Sequence, residues 1–231
     1  MMTLYNEYDR LLVAVDCIIF GFHGDQLKLL LIKRDFEPEK GKWSLMGGFA
    51  KKSESLDDAA SRILMSLTGL QEVFLEQLYC FNQVDRDPVE RTISVTYYSL
   101  INIEDHDEEL SKQHDASWFD LGEMPDLIFD HNEIVDRAHQ RLKYKAEHYP
   151  VGFELLPPKF TMPELQSLYE AIFETEMDKR NFIKRIDSLG ILVKLNEKKR
   201  TTGKKGAFLY QFDEDKYKQQ MKTGNKFQIK P

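Results

Sequence analysis

The sequence predicts an α+β protein with two domains: a larger one built on mixed β-strands and a smaller one of two helices and two short strands. Up to residue 149, strand-like segments outnumber two helical patterns and do not alternate with them regularly, as they would in repeated βαβ units. Gly152–Lys159 then contains Pro157-Pro158, which disfavours helix and leaves a short, stiff connection. The charge also changes sign, since residues 1–156 hold 16 Lys and Arg against 29 Asp and Glu, whereas residues 157–231 hold 16 against 10. We therefore expect one domain at residues 1–152 and another at 153–231.

The first domain begins with a predicted β-hairpin. Leu11–Phe22 and Gln26–Lys33 are rich in Leu, Ile and Val, and His23-Gly24-Asp25 between them has the composition of a turn. After the loop Asp35–Lys42, apolar residues recur at three- and four-residue spacing from Leu56 to Leu67, which predicts a helix that Gly69 ends. Three further strands and an amphipathic helix are expected, in the order Val73–Gln83, Thr92–Ile103, Ala116–Leu121 and Asn132–Tyr149.

The second domain contains two predicted helices, each with an N-terminal cap. Thr161-Met162-Pro163-Glu164 has the form of a capping box, in which a Thr hydroxyl and a Glu carboxylate satisfy free N–H groups. Asp178 can cap the second helix, whose apolar stripe before Gly190 consists of Phe182, Ile183, Ile186 and Leu189. Two short strands are then expected, Ile191–Leu195 and Ala207–Phe212, joined by the loop Asn196–Gly206.

Six residues between positions 48 and 70 match a known motif. They are Gly48, Glu54, Arg62, Leu64, Gly69 and Leu70. Their spacing resembles the Nudix signature, Gly-x5-Glu-x7-Arg-Glu-U-x-Glu-Glu-x-Gly-U, where U is aliphatic. The preceding segment, Trp43–Phe49, resembles the W-x-x-P-G-G lead-in of the same family, with Met46 in place of the proline. The resemblance implies that the first domain is a Nudix-like α/β/α sandwich.

The residues that depart from this signature are the ones that carry its chemistry. In Nudix hydrolases, three further glutamates of the helix bind Mg²⁺, which neutralises the diphosphate and helps to activate water. Here those positions hold Ile63, Ser66 and Leu67, and two of these side chains offer no oxygen to a hard cation. We therefore expect no catalytic residue, metal site or cofactor, and a protein that is not an enzyme. Glu54 is interpreted as a structural acceptor within the loop-helix turn, paired with Arg62.

A Mg²⁺-dependent hydrolase of ADP-ribose or another nucleoside diphosphate derivative is the alternative. It requires carboxylates from elsewhere, such as Asp57, Asp58 or Glu90, to converge on the site and replace the missing ligands.

A ligand-binding cleft can persist without the metal ligands. Lys33-Arg34 ends the second strand, near where Nudix substrates lie, and Phe49 follows the glycine pair. Asp85-Arg86-Asp87-Pro88 resembles the D-x-D-P segment of Nudix-related transcriptional regulators, in which a non-hydrolysing Nudix domain senses a small molecule. Arginines can clamp phosphates, and Arg–Asp pairs can bind sugar hydroxyls. The predicted ligand-binding residues are Arg34, Phe49, Arg86, Asp87 and Arg91, although an exposed hairpin loop with ordinary ion pairs would also fit positions 85–91.

The second domain has the pattern of a winged helix-turn-helix. The outer face of its second helix is cationic and polar, as a helix in the major groove requires, and consists of Lys179, Arg180, Asn181, Lys184 and Arg185. The loop before the last strand has the composition of a wing along phosphates and holds Lys198, Lys199, Arg200, Lys204 and Lys205. Taken separately, the helix could be an ordinary surface helix with basic side chains, and the loop could be an ordinary solvent-exposed loop rich in charged residues.

The whole chain resembles Nudix-related transcriptional regulators. The resemblance implies a homodimer on a palindromic double-stranded DNA operator, controlled by an effector that is either an ADP-ribose-type nucleotide or a pentose sugar such as arabinose. The net charge of −7 does not oppose DNA binding, because the basic residues are concentrated in the second domain. The apolar runs are too short for a membrane span, and the N-terminus lacks a secretory signal, so we expect a cytoplasmic protein with no membrane partner. An RNA-binding or scaffolding module is a third hypothesis, without a clear stacking platform to support it.

Overall fold

The structure is a computed structural model that describes residues 7–70, 73–105, 115–200, 206–222 and 227–230. Within these ranges, no helix has both the length and the apolar character needed to cross a bilayer. The predicted wing residues Lys204 and Lys205 lie outside the described residues.

The first domain is built on a mixed sheet, in which the described residues form seven strands. In chain order these are β1 (Leu12–His23), β2 (Gln26–Lys33), β3 (Trp43–Ser44), β4 (Met46–Phe49), β5 (Glu76–Phe81), β6 (Thr92–Asn102) and β7 (Ala116–Asp120). The main path runs β3-β2-β1-β6-β5, with β4 paired to β1 and β7 paired to β2. Strands β1 and β2 form the predicted antiparallel hairpin, whereas β1 and β6 are parallel.

Two helices cover the opposite faces of this sheet. Helix α1 (Leu56–Thr68) packs on the face to which Val15, Cys17 and Ile19 of β1 point. Helix α2 (His131–His148) packs on the other face, with Ile18 and Phe20. Successive strand residues point to opposite faces, so a strand covered on both sides is apolar at nearly every position. The predicted α/β/α sandwich is confirmed.

In the described part of the smaller domain, three α-helices accompany a three-stranded sheet. Its elements are β8 (Phe160–Thr161), α3 (Met162–Phe173), α4 (Lys179–Leu189), β9 (Leu192–Lys199), β10 (Ala207–Phe212) and α5 (Glu214–Lys222), with the strands in the order β8-β10-β9. Both predicted caps are present. The Thr161 hydroxyl accepts from the N–H of Glu164 at 3.3 Å, and the Asp178 carboxylate accepts from the N–H of Asn181 at 2.8 Å.

Several element boundaries differ from the prediction. Strand β9 runs on to Lys199, so Lys198 and Lys199 lie in a strand and not in a loop. Lys198 is paired with Phe208 on β10, and both Lys194 and Lys198 place their ammonium groups over that ring, at 4.0 and 4.5 Å from its centroid. Such polar, solvated strands lack the apolar alternation from which strands are predicted. The short strands β3, β4 and β8 and helix α5 were also not predicted, and β5 is shorter than Val73–Gln83.

The two domains share a continuous buried core. Helix α3 packs against both α2 and β2, and the Phe153 ring, which follows Gly152, stacks on Phe212 of β10 with their centroids 4.6 Å apart. Buried residues of the sandwich and of α3 and α4 belong to one apolar cluster. The boundary at residue 152 remains a prediction.

Candidate functional site

A cleft of about 310 Å³ opens beside the ends of β2 and β4 and the C-terminal turn of α1. Of the five predicted ligand-binding residues, four line it: Arg34, Phe49, Arg86 and Asp87. The cleft also contains residues that the sequence analysis did not single out, among them Asp16, Phe36, Phe129 and His131.

The floor of the cleft is a buried cluster of charged groups. Arg86 donates to both carboxylate oxygens of Asp130, at 2.7 and 2.8 Å, and its guanidinium lies 3.6 Å from Asp16. The Ser94 hydroxyl donates to the same Asp16 oxygen that lies nearest to Arg86, at 2.5 Å. A side chain at Gly47 would place its Cβ 2.2 Å from an Asp16 oxygen, so glycine is required there by close approach. Arg86 is therefore held by protein carboxylates instead of projecting freely toward a phosphate.

His131 completes this floor in its neutral form. Its Nδ1 accepts a hydrogen bond from the Leu45 N–H at 3.1 Å, so the ring proton is assigned to Nε2, which lies 3.8 Å from Asp16. Burial lowers the pKa of His131, and this effect outweighs the opposing influence of the Asp16 charge. The floor thus offers fixed hydrogen-bonding groups.

The wall of the cleft combines aromatic rings with a cation. The guanidinium of Arg34 lies 3.7 Å from the centroid of the Phe36 ring and 5.4 Å from that of Phe129. Phe129 has a φ of 50°, an uncommon backbone conformation for a bulky residue and one that marks local strain. Phe49 is 45% exposed on the same cleft. Rings and a guanidinium in this arrangement can stack on a planar base and attract an anion.

The positions of the missing glutamates are occupied by packing residues. Ile63 is buried against Gly48, where an added Cβ would lie 3.2 Å from it. The Ser66 hydroxyl donates to the carbonyl of Ile63 at 2.9 Å, within its own helix, and Leu67 lines the cleft. Helix α1 ends as predicted at Gly69, which has a φ of 77°.

Glu54 and Arg62 form the pair that the sequence analysis predicted. Arg62 donates to both oxygens of Glu54 and to the carbonyl of Phe49, and the Lys51 N–H donates to Glu54 at 2.8 Å. These hydrogen bonds, chiefly that from Arg62, lower the pKa of Glu54 to about 2. The pair fixes the loop before α1.

The carboxylates considered as replacements are engaged or placed elsewhere. Asp57 accepts from the Tyr97 hydroxyl at 2.6 Å, and Asp58 forms a capping box with Ser55. Glu90 is exposed in the loop before β6 and does not line the cleft. Among the described residues, no group of three or more His, Cys, Asp or Glu is placed to hold a metal ion.

Arg91 does not line the cleft, so its prediction as a ligand-binding residue is not matched by its position. Its guanidinium donates to the carbonyls of Gln83 and Asn82, at 2.8 and 3.0 Å, and so closes the loop that carries Arg86. Asp87 lines the cleft while also accepting from the Val89 N–H at 2.9 Å. Within segment 85–91, Arg86 and Asp87 therefore line the cleft, whereas Arg91 stabilises the loop that carries them.

The predicted nucleic-acid face lies on α4 and the β9–β10 ribbon. The exposed side chains of α4 include Lys179, Arg180, Asn181 and Lys184. Arg185 is also exposed, but its Nε donates to the carbonyl of Gln228 at 2.6 Å, so it is tied to the C-terminal segment. On the ribbon, Lys198 and Arg200 are exposed and the Lys199 ammonium pairs with Glu164 at 2.6 Å.

Asp16, Asp130 and His131 were missed by the sequence analysis. Asp16 had a signal, since it is a charged residue within the apolar segment of β1, where burial requires partners. Asp130 and His131 adjoin the start of a predicted helix, and nothing in the nearby sequence marks them as part of a site.

Comparison with known proteins identifies both halves of the chain. Residues 10–140 match the model of the NUDIX domain, and residues 152–212 match that of the NrtR DNA-binding winged helix domain. The chain is 33% identical over 211 residues to the ADPR-responsive transcriptional repressor NtrR of Acinetobacter baylyi, which covers 90% of this chain and 84% of that protein. It is also 36% identical over 132 residues to the ADP-ribose pyrophosphatase of Methanocaldococcus jannaschii, covering 57% of this chain and 75% of that protein.

Solved structures of NrtR from Shewanella oneidensis have the same fold. The crystal structure complexed with a 27mer DNA has a TM-score of 0.80 at 28% identity, covering 94% of this chain and 99% of that one. The NUDIX domain of the same protein, complexed with ADP ribose, has a TM-score of 0.50 at 31% identity, covering 59% of this chain and 91% of that one.

Proposed function

The chain belongs to the Nudix-related transcriptional regulators with an NrtR-type winged helix, and we propose that its cleft binds ADP-ribose and thereby changes its affinity for operator DNA. Membership makes it a DNA-binding regulator with a Nudix effector domain. We propose which effector it binds, that it does not hydrolyse this effector, and which residues bind the effector and the DNA.

The wall of the cleft is the observation that carries this proposal. The rings of Phe36 and Phe129 can stack on adenine, and Arg34 beside them can attract the diphosphate. Asp87 at the rim can accept hydrogen bonds from ribose hydroxyls. The volume of about 310 Å³ is within the range of small-molecule sites. A pentose such as arabinose has neither a planar base for these rings nor a diphosphate for the cation, so we propose the nucleotide over the sugar.

We infer from the chemistry of α1 that this domain does not hydrolyse its ligand. Ile63 and Leu67 cannot coordinate Mg²⁺, and the surviving Glu54 is engaged by Arg62. The similarity to the ADP-ribose pyrophosphatase of Methanocaldococcus jannaschii makes hydrolysis the second candidate function.

We assign DNA binding to the exposed side chains of α4, above all Arg180 and Asn181, with Lys198 and Arg200 along the phosphates. Exposure and charge support this assignment. Arginine and asparagine can read guanine and adenine edges, whereas lysines near the backbone add affinity without sequence preference.

The test combines three measurements on the full chain. A thermal-shift comparison of ADP-ribose, AMP, ribose 5-phosphate and arabinose identifies the ligand, since a ligand at about 100 times its Kd stabilises the folded state by about 2.7 kcal/mol. Fluorescence anisotropy with a duplex selected by the protein from a random library then gives the DNA Kd with and without ADP-ribose. Phosphorus NMR with Mg²⁺ monitors conversion of ADP-ribose to AMP and ribose 5-phosphate.

Arg34→Ala should weaken ADP-ribose binding about 10- to 100-fold, as expected for loss of a charge-assisted hydrogen bond. Arg10→Ala, an exposed arginine outside the cleft, is the matched control and should bind as wild type. Absence of both a thermal shift and an effect of ADP-ribose on DNA affinity contradicts the effector assignment. Mg²⁺-dependent release of AMP contradicts the silent active site and favours the hydrolase.

A further inference from the structure

We propose that helix α2 transmits occupancy of the cleft to the DNA-binding helices, with the Arg86–Asp130 pair at its input and the Lys143–Glu174 pair at its output. This inference rests on the proposed effector function and assigns residues to its regulation.

The input lies at the N-terminus of α2, inside the cleft floor. Asp130 occupies the N-cap position, where an aspartate ordinarily accepts from the first N–H groups of the helix. Here its side chain makes no capping hydrogen bond, and both oxygens accept from Arg86 instead. Arg86 also lines the cleft. A ligand oxygen that accepts from its guanidinium therefore competes with the Asp130 carboxylate, at the start of α2, for the same N–H donors.

The output lies farther along the same helix, at the turn between α3 and α4. The Nε2 of His139 lies 2.9 Å from the carbonyl of Ile172, near the end of α3, and the ring donates its proton to that acceptor. One turn on, the Lys143 ammonium pairs with Glu174, which ends α3 in the left-handed conformation with a φ of 54°. Helix α2 thus contacts the turn that sets the relative position of the two DNA-binding helices.

A second connection from α2 reaches α4 through the C-terminal segment 227–230. The Ile229 N–H donates to the carbonyl of Glu147 at 3.0 Å, and Lys230 lies 3.6 Å from the Glu147 carboxylate. The carbonyl of Gln228, in the same segment, accepts from Arg185 of α4. The first connection thus ends at the C-terminal end of α3, and the second ends at α4, the predicted DNA-reading helix.

Helix α2 is suited to act as one rigid body. Its 18 residues span about 27 Å at 1.5 Å per residue. One side is buried in the core that both domains share, through Ile134, Val135, Ala138, Leu142 and Ala146. Close-packed interiors transmit a displacement with little local relaxation, so movement at Asp130 is carried to the Lys143 end.

The experiment measures the coupling ratio, which is the DNA Kd of the full chain with saturating ADP-ribose divided by the Kd without it. In wild type we expect a ratio that differs from one by about 5- to 150-fold. Lys143→Glu places two carboxylates together at the output and should move the ratio toward one by about 2- to 30-fold, with the Kd for ADP-ribose unchanged. The double exchange Lys143→Glu with Glu174→Lys restores opposite charges and should restore the ratio.

Asp130→Asn tests the input and should likewise move the ratio toward one. Because Asp130→Asn also alters a buried ion pair, the variants of the half-buried Lys143 keep the test valid if Asp130→Asn does not fold. Lys28→Gln removes another ion pair of the sandwich, that with Asp120, away from α2, and serves as the control that should retain the wild-type ratio.

Two outcomes would overturn the inference, and they are distinguishable. A wild-type ratio far from one that Lys143→Glu retains overturns the role of α2 and leaves the effector function intact. A wild-type ratio of one overturns the effector function, and the inference with it.

Discussion

At the scale of single residues, carboxylates that look alike in the sequence have different surroundings. Glu54 lies at the partly exposed start of the Nudix helix and is fixed by Arg62 and by a backbone N–H. Asp16 is buried beneath the cleft among Arg86, Ser94 and His131. Buried ion pairs contribute little net stability against apolar packing of the same volume, because both partners lose their hydration. The position of the Asp16 cluster under a cleft therefore favours a binding role.

The Glu54–Arg62 pair predicts a pH-dependent contribution to stability. The pKa of Glu54 is lowered from 4.5 to about 2 by hydrogen bonds from Arg62 and Lys51. A lowered carboxylate pKa gives stabilisation that is complete above about pH 4.5 and is lost as the pH falls toward 2. Glu54→Gln should therefore lower the melting temperature at pH 7, and its effect should shrink at pH 3.

Thermal unfolding monitored by circular dichroism at both pH values is the measurement. Glu90→Gln is the control, since among the described residues the Glu90 carboxylate has no ion pair or hydrogen bond. An effect of Glu54→Gln that is the same at pH 3 and pH 7 would contradict the prediction.

The burial of His131 predicts that stability also depends on pH in a second range, between pH 5.5 and 7.5. Burial lowers its pKa below 6.5, so the unfolded chain binds a proton near pH 6 while the folded chain keeps the ring neutral. The free energy of unfolding should fall as the pH is lowered from 7.5 to 5.5. His139, whose pKa is also lowered by burial, adds a contribution of the same sign.

Urea unfolding of wild type and His131→Gln at these two pH values separates the two histidines. The glutamine oxygen can still accept from the Leu45 N–H, but the side chain does not titrate, so the variant should lose less stability on acidification. Equal losses in the two proteins would exclude His131 as a source of the effect.

At the scale of elements, helix α1 has both ends capped and one face buried, although three glutamates of the Nudix signature are absent from it. Its capping box, Ser55 with Asp58, and its glycine C-cap are intact. The buried stripe that contains Ile63 and Leu64 holds it on the sheet. A helix can lose its catalytic carboxylates and keep its fold, because its place is set by caps and by one apolar face.

The caps of the second domain lead to a stability prediction. Thr161→Ala removes the hydroxyl that accepts from the N–H of Glu164 and should lower the free energy of unfolding by about 1 kcal/mol, within a range of about 0.5 to 2. Thr161→Ser retains the hydroxyl and should cost less. Urea denaturation of the two variants distinguishes the cap from lost methyl packing, and equal costs would show that the hydroxyl contributes nothing.

Helix α4 and the β9–β10 ribbon should respond differently to loss of a cation. Arg180→Ala should weaken binding to the selected duplex by about 1–3 kcal/mol and relax its sequence preference, as expected for a base contact. Lys198→Ala should weaken binding to all sequences and reduce the slope of log K against log salt by about 0.9. Anisotropy titrations at several salt concentrations measure both, with Arg10→Ala as control. If the two variants lose affinity in the same sequence-independent way, α4 does not read bases.

At the scale of the whole molecule, charge is divided between the two domains. Residues 1–156 carry 13 more acidic than basic residues (29 against 16), and residues 157–231 carry 6 more basic than acidic residues (16 against 10). A polyanion responds to this local potential, so the basic domain can approach DNA while the acidic domain is held away. The cleft therefore lies in the acidic domain and the predicted DNA-contacting residues lie in the basic one, although the two domains share a core.

Operator binding by two copies of the chain remains a prediction. A single chain presents one α4, whereas a palindromic operator offers two half-sites, and joint binding raises affinity without new contacts. Light scattering after gel filtration should give twice the chain mass of 27.2 kDa for the free protein. The same measurement should find two chains per duplex in the complex, and a monomeric mass in both states would contradict the dimer.

The local features of the chain could be predicted from its residues alone. Helix caps, the β1–β2 hairpin and the substitutions at Ile63, Ser66 and Leu67 depend on residues within a few positions of one another, and the charge division depends on composition alone. The fold class and the regulatory function followed from them, together with the resemblance to a family.

The assembly of the cleft floor, and the choice of arginine that reaches it, depend on contacts between residues far apart in the chain. Arg86 meets Asp130 across 44 positions, and Ser94 meets Asp16 across 78. Their meeting depends on the parallel register of β1 with β6 and on the packing of α2, which no local pattern encodes. For the same reason Arg86 and Arg91, five positions apart in one loop, have separate roles: one is drawn into the floor by buried carboxylates, and the other closes the loop on backbone carbonyls.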